Sequence, residues 1–210
     1  MCCWSPTQIN WQAPYACTTC CRLAWFDCRI NNRFDRGISV LERAQTVRLM
    51  IFDVDGVMTD GSLYYTDSGE EMKAFNSLDG HGLKMLKQSG VQLAIITGRQ
   101  SKLVEHRARN LGIEHLIQGA HDKRASFETL LAQLGFSAEQ CGYMGDDVID
   151  LPVMRRAHFA IAVPDSPTVV RQYAHYVTGA RGGHGAVREA CEVIMQAKGT
   201  LDAQLASYLA

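Results

Sequence analysis

Four groups of residues along this chain could do chemistry together. Asp53 and Asp55 close an apolar run in Phe52-Asp-Val-Asp-Gly-Val57, and Thr97-Gly98-Arg99 follows a second such run. Lys123 opens a helical pattern, and Gly145-Asp146-Asp147, with Asp150 close behind, follows a third apolar run. Each group alone is ordinary, since DxD recurs by chance, Thr-Gly is a common turn and a lysine at a helix start is usually solvated. Converging carboxylates, however, repel one another unless a cation neutralises them. Aspartates combined with one hydroxyl and one ammonium suit phosphoryl transfer through an aspartyl-phosphate. The attacking carboxylate must approach a phosphate dianion, so a hard divalent cation has to offset the repulsion. Magnesium suits an all-oxygen site with few carboxylates and several retained waters. Thr97 and Lys123 would then face the phosphoryl oxygens as charge spreads over them. A carboxyl two residues past the nucleophile can protonate the leaving oxygen and later activate water.

Such groups converge only if strands deliver them to one edge. Leu49-Met-Ile-Phe-Asp-Val54, Val91–Ile96, Cys141–Met144 and Phe159–Val163 are short, nearly continuous apolar runs, the pattern of buried parallel strands. A shorter strand is expected at Leu116–Gln118. Between these runs, Gly80–Gln88, Ser101–Leu111, Lys123–Leu134 and Val148–Arg155 carry apolar residues at three- and four-residue spacing. The alternation predicts an α/β fold, a Rossmann-like, mostly parallel sheet with helices on both faces. Ligands of such sheets bind beyond the carboxyl ends of the strands, where all four groups fall. One insertion breaks the alternation: Ser62–Thr66 and Glu71–Phe75 flank the turn residues Asp67-Ser-Gly69, which predicts a β-hairpin over 62–75. A lone hairpin is marginal, so it should pack against something, such as its copy in another subunit.

With 210 residues the chain has room for one substantial domain and little else. Its 21 basic and 22 acidic residues give a net charge of −1 and no electrostatic reason to expect nucleic acid or an anionic membrane as partner. No apolar run approaches the roughly 18 residues that a transmembrane helix needs. The first residues lack a basic segment followed by an apolar one, so a cytoplasmic protein is expected. Six of the eight cysteines fall within the first 28 residues, and Cys17-x-x-Cys20 has the spacing of half a zinc site, but no second half follows. Residues 1–43 are therefore expected to be a poorly ordered leader, 44–199 the folded domain and 200–210 a tail. Within that domain, Gly179-Ala-Arg-Gly-Gly-His-Gly185 has four glycines in seven residues, and Ala186–Lys198 reads as an amphipathic helix. A flexible basic segment anchored by a helix suits a lid that would meet an anion through backbone amides and Arg181.

The four groups resemble the haloacid dehalogenase superfamily. From about residue 43 to 199 the resemblance narrows to its members that dephosphorylate 3-deoxy-D-manno-octulosonate 8-phosphate in lipopolysaccharide precursor synthesis. It is carried by Phe52–Gly61, Gly69-Glu-Glu-Met-Lys-Ala-Phe-Asn76, Ile96–Arg99, Gly145–Asp150 and Gly182-Gly-His-Gly-Ala-Val-Arg-Glu189. The resemblance implies Asp53 as nucleophile, Asp55 as general acid/base and main-chain metal ligand, and Asp146 as the third magnesium ligand. Thr97 and Lys123 match phosphate-contacting positions, while Asp147 and Asp150 support them. Substrate contacts carry over to Asp55, Asn76, Ser77, Leu78, Asp79, Gly80, Lys84, Arg99, Arg107 and Lys123. Arg99 and Arg107 are expected on one face of one helix, suited to a substrate with its own carboxylate. The family has Val-Arg where this chain has Ser77-Leu78, which could shift sugar recognition to His81 or Lys84. It also implies a homo-oligomer, a tetramer assembled through the hairpin. Two other readings are a phosphatase of a nine-carbon 2-keto sugar acid phosphate and a non-catalytic oligomerisation module, the latter disfavoured by the complete set of catalytic residues.

Overall fold

The computed structural model describes residues 38–209. The cysteines of the first 28 residues and most of the expected leader lie outside them. Helix α1 (Val40–Thr46) crosses the boundary expected at 43/44 and starts on a capping box, in which Ser39 and Glu42 each bond the other's backbone N–H.

Six strands form one parallel sheet: β1 (Leu49–Phe52), β4 (Gln92–Ile96), β5 (His115–Ile117), β6 (Cys141–Gly145), β7 (Phe159–Ala162) and β8 (Tyr176–Val177). Their order is β5-β4-β1-β6-β7-β8. Strand β1 therefore sits between β4 and β6, with Phe52 paired to Ile95 on one side and to Met144 on the other. All four of its residues are fully buried, as its unbroken apolar sequence requires. The chain order reverses direction across β1, so the crevice at its carboxyl end is where a ligand belongs.

Helices cover both faces of the sheet. Leu49 and Ile51 join Ala94, Ile96, Tyr143 and Ala160 in a core closed by Phe127, Leu130 and Leu131 of α4 (Lys123–Leu134), Val153 of α5 (Leu151–Met154) and Val170 of α6 (Thr168–Tyr173). Alternation along β1 turns Met50 and Phe52 to the other face. There α2 (Ser77–Gln88) packs against α7 (Ala186–Ala197), which also receives α1. Helix α3 (Lys102–Leu111) lies beside α2 and ends at Gly112 in the left-handed conformation. Helix α8 (Leu201–Leu209) occupies the segment expected as a tail. Among the described residues no helix is long and apolar enough to cross a membrane.

The hairpin forms where expected but is shorter: β2 is Tyr64–Tyr65 and β3 is Glu71–Met72, with the turn carried by Gly69 at φ 82°. Leu63, Tyr64, Tyr65 and Met72 are all exposed on it. Other boundaries differ for local reasons. Helix α2 begins three residues before its expected start, because Asn76 accepts the Leu78 and Asp79 N–H groups as a side-chain cap. The expected helix over Val148–Arg155 divides into a 3-10 turn at Val148–Asp150 and the short α5, with Pro152 in the first turn of the latter. Arg99 precedes α3 on a loop, so it and Arg107 do not share a helix face, contrary to expectation.

Helix α7 starts at Gly185, which has no side chain with which to cap it. The cap comes from far upstream: buried Asp79 of α2 accepts the Arg188 N–H at 2.8 Å and the Gly185 N–H at 3.4 Å. Burial raises the Asp79 pKa despite these two bonds. Replacing Asp79 with Ala leaves those amides unpaired and should lower the thermal midpoint by about 3–6 °C, the scale of about 1–2 kcal/mol for a lost cap in a domain of this size. An unchanged midpoint in differential scanning calorimetry would refute this role.

Candidate active site

Asp53 leaves the carboxyl end of β1 with its N–H held by the Met144 carbonyl of β6 at 2.9 Å. The chain then turns sharply, and the N–H groups of Val57, Met58 and Thr59 all reach back to the Val54 carbonyl. Gly56, at φ 85°, stands under the Asp146 carboxylate; a Cβ there would collide with it. Only glycine lets the loop after β6 lie this close to the loop after β1.

Lys123, the first residue of α4, enters from the segment after β5, two strands away from β1. Its ammonium donates to Asp53 Oδ2 at 2.6 Å and to Asp150 Oδ1 at 2.7 Å, and all three side chains are buried. Asp150 is saturated. Its Oδ1 also accepts the Tyr143 hydroxyl at 2.6 Å, and its Oδ2 accepts the Asp146 and Asp147 N–H groups at 3.0 and 3.1 Å. Asp150 therefore shapes the loop and anchors Lys123. The carboxylates of Asp53, Asp146 and Asp150 converge, with one oxygen from each within 4.8 Å of the others.

The charges do not close. Among the described residues three carboxylates face one ammonium, which leaves two negative charges in a largely buried site. The strain shows in the protonation equilibria. Burial, with the Asp150 charge, pushes the Asp53 pKa up to about 6 in spite of Lys123. Burial, with Asp53 and Asp150, pushes Asp146 up to about 7. Burial works against the Lys123 ammonium, but Asp53 and Asp150 outweigh it and hold its pKa above that of an ordinary lysine. Burial and the Asp150 charge raise the Tyr143 pKa, keeping that hydroxyl a donor. A divalent cation with oxygen preference fits this donor set, because it supplies the missing two charges. Asp53 and Asp146 are the carboxylates positioned to hold it, Asp150 being fully engaged by hydrogen bonds.

Thr97 is buried just past β4, its N–H on the Ile117 carbonyl and its carbonyl on the Ala120 N–H. The Asp55 side chain turns instead to the hairpin, where its Oδ1 accepts from Lys73 and its Oδ2 lies 3.6 Å from Arg99 Nε. Arg99 Nη2 also donates to the Tyr65 hydroxyl at 2.7 Å and to Glu71 at 2.8 Å. Arg107 donates to the Asn76 carbonyl at 2.9 Å, covers the Phe75 ring and closes on Gly80, where a Cβ would strike its guanidinium. Ser77, Leu78 and Lys84 are exposed. Lys73 stands in the Gly69–Asn76 stretch that carries the resemblance, but its role and that of Tyr143 were not foreseen: a lysine just past β3 and a tyrosine in an apolar run do not point to their distant partners.

The glycine-rich stretch is neither strand nor helix, but its glycines serve contact more than flexibility. A Cβ at Gly182 would collide with the Gly56 carbonyl, and Gly183 donates to the Val57 carbonyl at 3.0 Å. Asn76 Nδ2 donates to the Gly183 carbonyl at 3.2 Å, so α2, the loop after β1 and this strap are joined. Arg181 forms an exposed bidentate pair with Asp165 at 2.7 and 3.0 Å, and the exposed His184 contacts the Gly182 carbonyl.

A family model for haloacid dehalogenase-like hydrolases matches residues 69–158. The 3-deoxy-D-manno-octulosonate 8-phosphate phosphatase KdsC of Yersinia pestis is 50% identical over 163 residues, which cover 78% of this chain and 87% of that protein. This chain belongs to the haloacid dehalogenase-like hydrolases. Among solved structures, a probable YrbI family phosphatase from Pseudomonas syringae matches with a TM-score of 0.81 at 50% identity, covering 81% of this chain and 97% of that one. The 3-deoxy-D-manno-octulosonate 8-phosphate phosphatase of Moraxella catarrhalis matches with a TM-score of 0.79 at 45% identity, covering 80% and 97%. That crystal contains magnesium, phosphate and the sugar acid.

Removing the ammonium sharpens the imbalance and makes it pH-dependent. In the folded hydrolase Asp53 and Asp146 keep protons up to about 6 and about 7, whereas the unfolded chain releases them near the ordinary 3.8. The folded state thus binds more protons in this window, and stability falls as pH rises through it. For magnesium-free Lys123→Met, urea denaturation should show a loss of about 3 kcal/mol or more at pH 8 and a smaller loss at pH 5. A loss independent of pH would contradict the charge argument.

Proposed function

We propose that this hydrolase uses magnesium to cleave 3-deoxy-D-manno-octulosonate 8-phosphate into the free sugar acid and phosphate, a step of lipopolysaccharide precursor synthesis. The observation that carries the reading is the uncompensated pair of negative charges at the end of β1, in a chain 50% identical to a phosphatase of that substrate. Magnesium, when bound, offsets the repulsion between the carboxylates and the incoming phosphate.

The chain's own residues divide the work. Asp53 is the nucleophile: Val54 N–H on one oxygen at 2.7 Å and Lys123 on the other fix the carboxylate from both sides. Attack of Asp53 on phosphorus forms the aspartyl-phosphate and breaks the bond from phosphorus to the sugar oxygen, which takes a proton from Asp55. Asp55 then takes a proton from water, the resulting hydroxide attacks phosphorus, and Asp53 is regenerated as phosphate departs. Lys123 and Thr97 face the phosphoryl oxygens, and Asp146 and the Asp55 main chain complete the magnesium set. Arg99, Arg107, Lys84 and the Asn76–Gly80 segment provide the substrate side, where guanidinium suits the sugar's carboxylate. Asn76, Asp79 and Arg107 also hold that segment together, so their substitution affects position as well as contact.

The exposed Leu63, Tyr64, Tyr65 and Met72 support assembly through the hairpin into a tetramer. The expected compartment is the cytoplasm.

Asp53→Asn cannot form the acyl-phosphate and should keep less than about 1% of wild-type phosphate release from the eight-carbon substrate, with the fold intact by circular dichroism. A nine-carbon sugar-acid phosphate turned over with equal or higher kcat/KM would move the substrate to the alternative. Multi-angle light scattering at micromolar concentration should give the mass of four chains, and Tyr64→Glu should reduce it; a monomer in the unmodified protein would refute hairpin assembly.

A further inference from the structure

Asp55, the second aspartate past the end of β1, is gripped by the hairpin. Lys73 follows β3, and its side chain is only 2% exposed, an unusual place for an ammonium. Burial of that charge is offset by Asp55, whose Oδ1 it contacts, and by Glu71, 3.4 Å away. Arg99 stands on the other side of the same carboxylate. Its Nε lies 3.6 Å from Asp55 Oδ2, and its Nη2 is committed at 2.7–2.8 Å to Tyr65 and Glu71. Two cations and two anions thus form one network. Three of its residues, Tyr65, Glu71 and Lys73, come from the hairpin and its exit, and the network converges on Asp55.

From this geometry we infer that Lys73 is a positioning residue acting through Asp55: it occupies Oδ1 and leaves Oδ2 as the oxygen that serves the leaving group. The inference rests on the phosphatase reading, in which Asp55 carries the proton. An aspartate side chain at the tip of a loop can adopt several rotamers. A contact that fixes one oxygen also fixes where the other points, and proton transfer is steep in that placement. The hairpin would then act in the chemistry as well as in assembly, since anything that shifts β3 moves Lys73 and with it Asp55. When the bond from phosphorus to oxygen breaks, the proton passes from Asp55 to the sugar oxygen; Lys73 donates a hydrogen bond throughout and transfers nothing.

The discriminating experiment varies the leaving group. First-turnover rates are measured for wild type, Lys73→Met, Lys73→Arg and Asp55→Asn. The substrates are the eight-carbon sugar-acid phosphate and p-nitrophenyl phosphate, whose phenolate departs without needing a proton. Lys73→Met should slow the sugar-acid phosphate at least about tenfold but p-nitrophenyl phosphate less than about threefold. Lys73→Arg should recover most of the loss, and Asp55→Asn should show the same split more strongly. Equal losses on both substrates would make Lys73 a support of the fold alone, and no loss on either would make it a bystander; each overturns the inference. Wild type that hydrolyses p-nitrophenyl phosphate but not the sugar-acid phosphate would refute the proposed substrate instead. The split is then read on an alkyl phosphate that the protein does accept, such as glycerol phosphate.

Discussion

Lys123 stands between Asp53 and Asp150 in a site that holds three carboxylates, and the two negative charges it fails to balance govern how the surrounding structure is built. A buried charge without a partner costs several kcal/mol, so the fold has to spread or screen this one. Part of the burden goes to hydrogen bonds. Asp150 receives two backbone N–H groups and the Tyr143 hydroxyl besides Lys123, which is nearly all that a carboxylate can accept. The remainder falls on Asp53 and Asp146, whose raised pKa values record it. A site that resists being anionic without a cation is the site that will bind one.

The sheet explains how such a cluster can be assembled at all. Strand β1 has neighbours on both sides and no exposed residue, so its carboxyl end is fixed in place while the loops from β4, β6 and α4 meet around it. Glycine makes the meeting close enough. Gly56 admits the Asp146 carboxylate, and Gly182 admits the backbone of the C-terminal strap onto the same loop. Asn76 and Asp79 of α2 then tie that strap and α7 down. The loop after β1 is thereby braced by a segment more than a hundred residues away in sequence, and the hairpin exit holds Asp55 through Lys73.

Much of this was readable from the chain. Unbroken apolar runs such as Leu49–Phe52 and Phe159–Ala162 read directly as buried strands, and the helix at Lys123–Leu134 has the bounds its pattern predicts. The acidic groups fall at strand ends, where a parallel sheet must bring them together. Short elements were not legible: β8 is two residues long, and α6 covers only Thr168–Tyr173, too little for a period to show. Long-range polar pairing was not legible either. Nothing near Lys73 names Asp55 as its partner, and nothing in Gly179–Gly185 distinguishes a glycine that bends from one that permits contact. Asp79 reads as a ligand residue by its motif, yet its oxygens accept backbone amides of α7.

With three carboxylates around one ammonium, this site needs two more positive charges, which a divalent cation supplies. Isothermal calorimetry of magnesium binding tests it most directly, with titrations across pH 5.5–8 in buffers of different ionisation enthalpy. Because Asp53 and Asp146 hold protons up to about 6 and about 7, binding should release protons at the acidic end, and affinity should rise with pH and level off near pH 8. Affinity independent of pH, with no proton released in any buffer, would contradict this, because the carboxylates would then be already ionised and balanced without the metal.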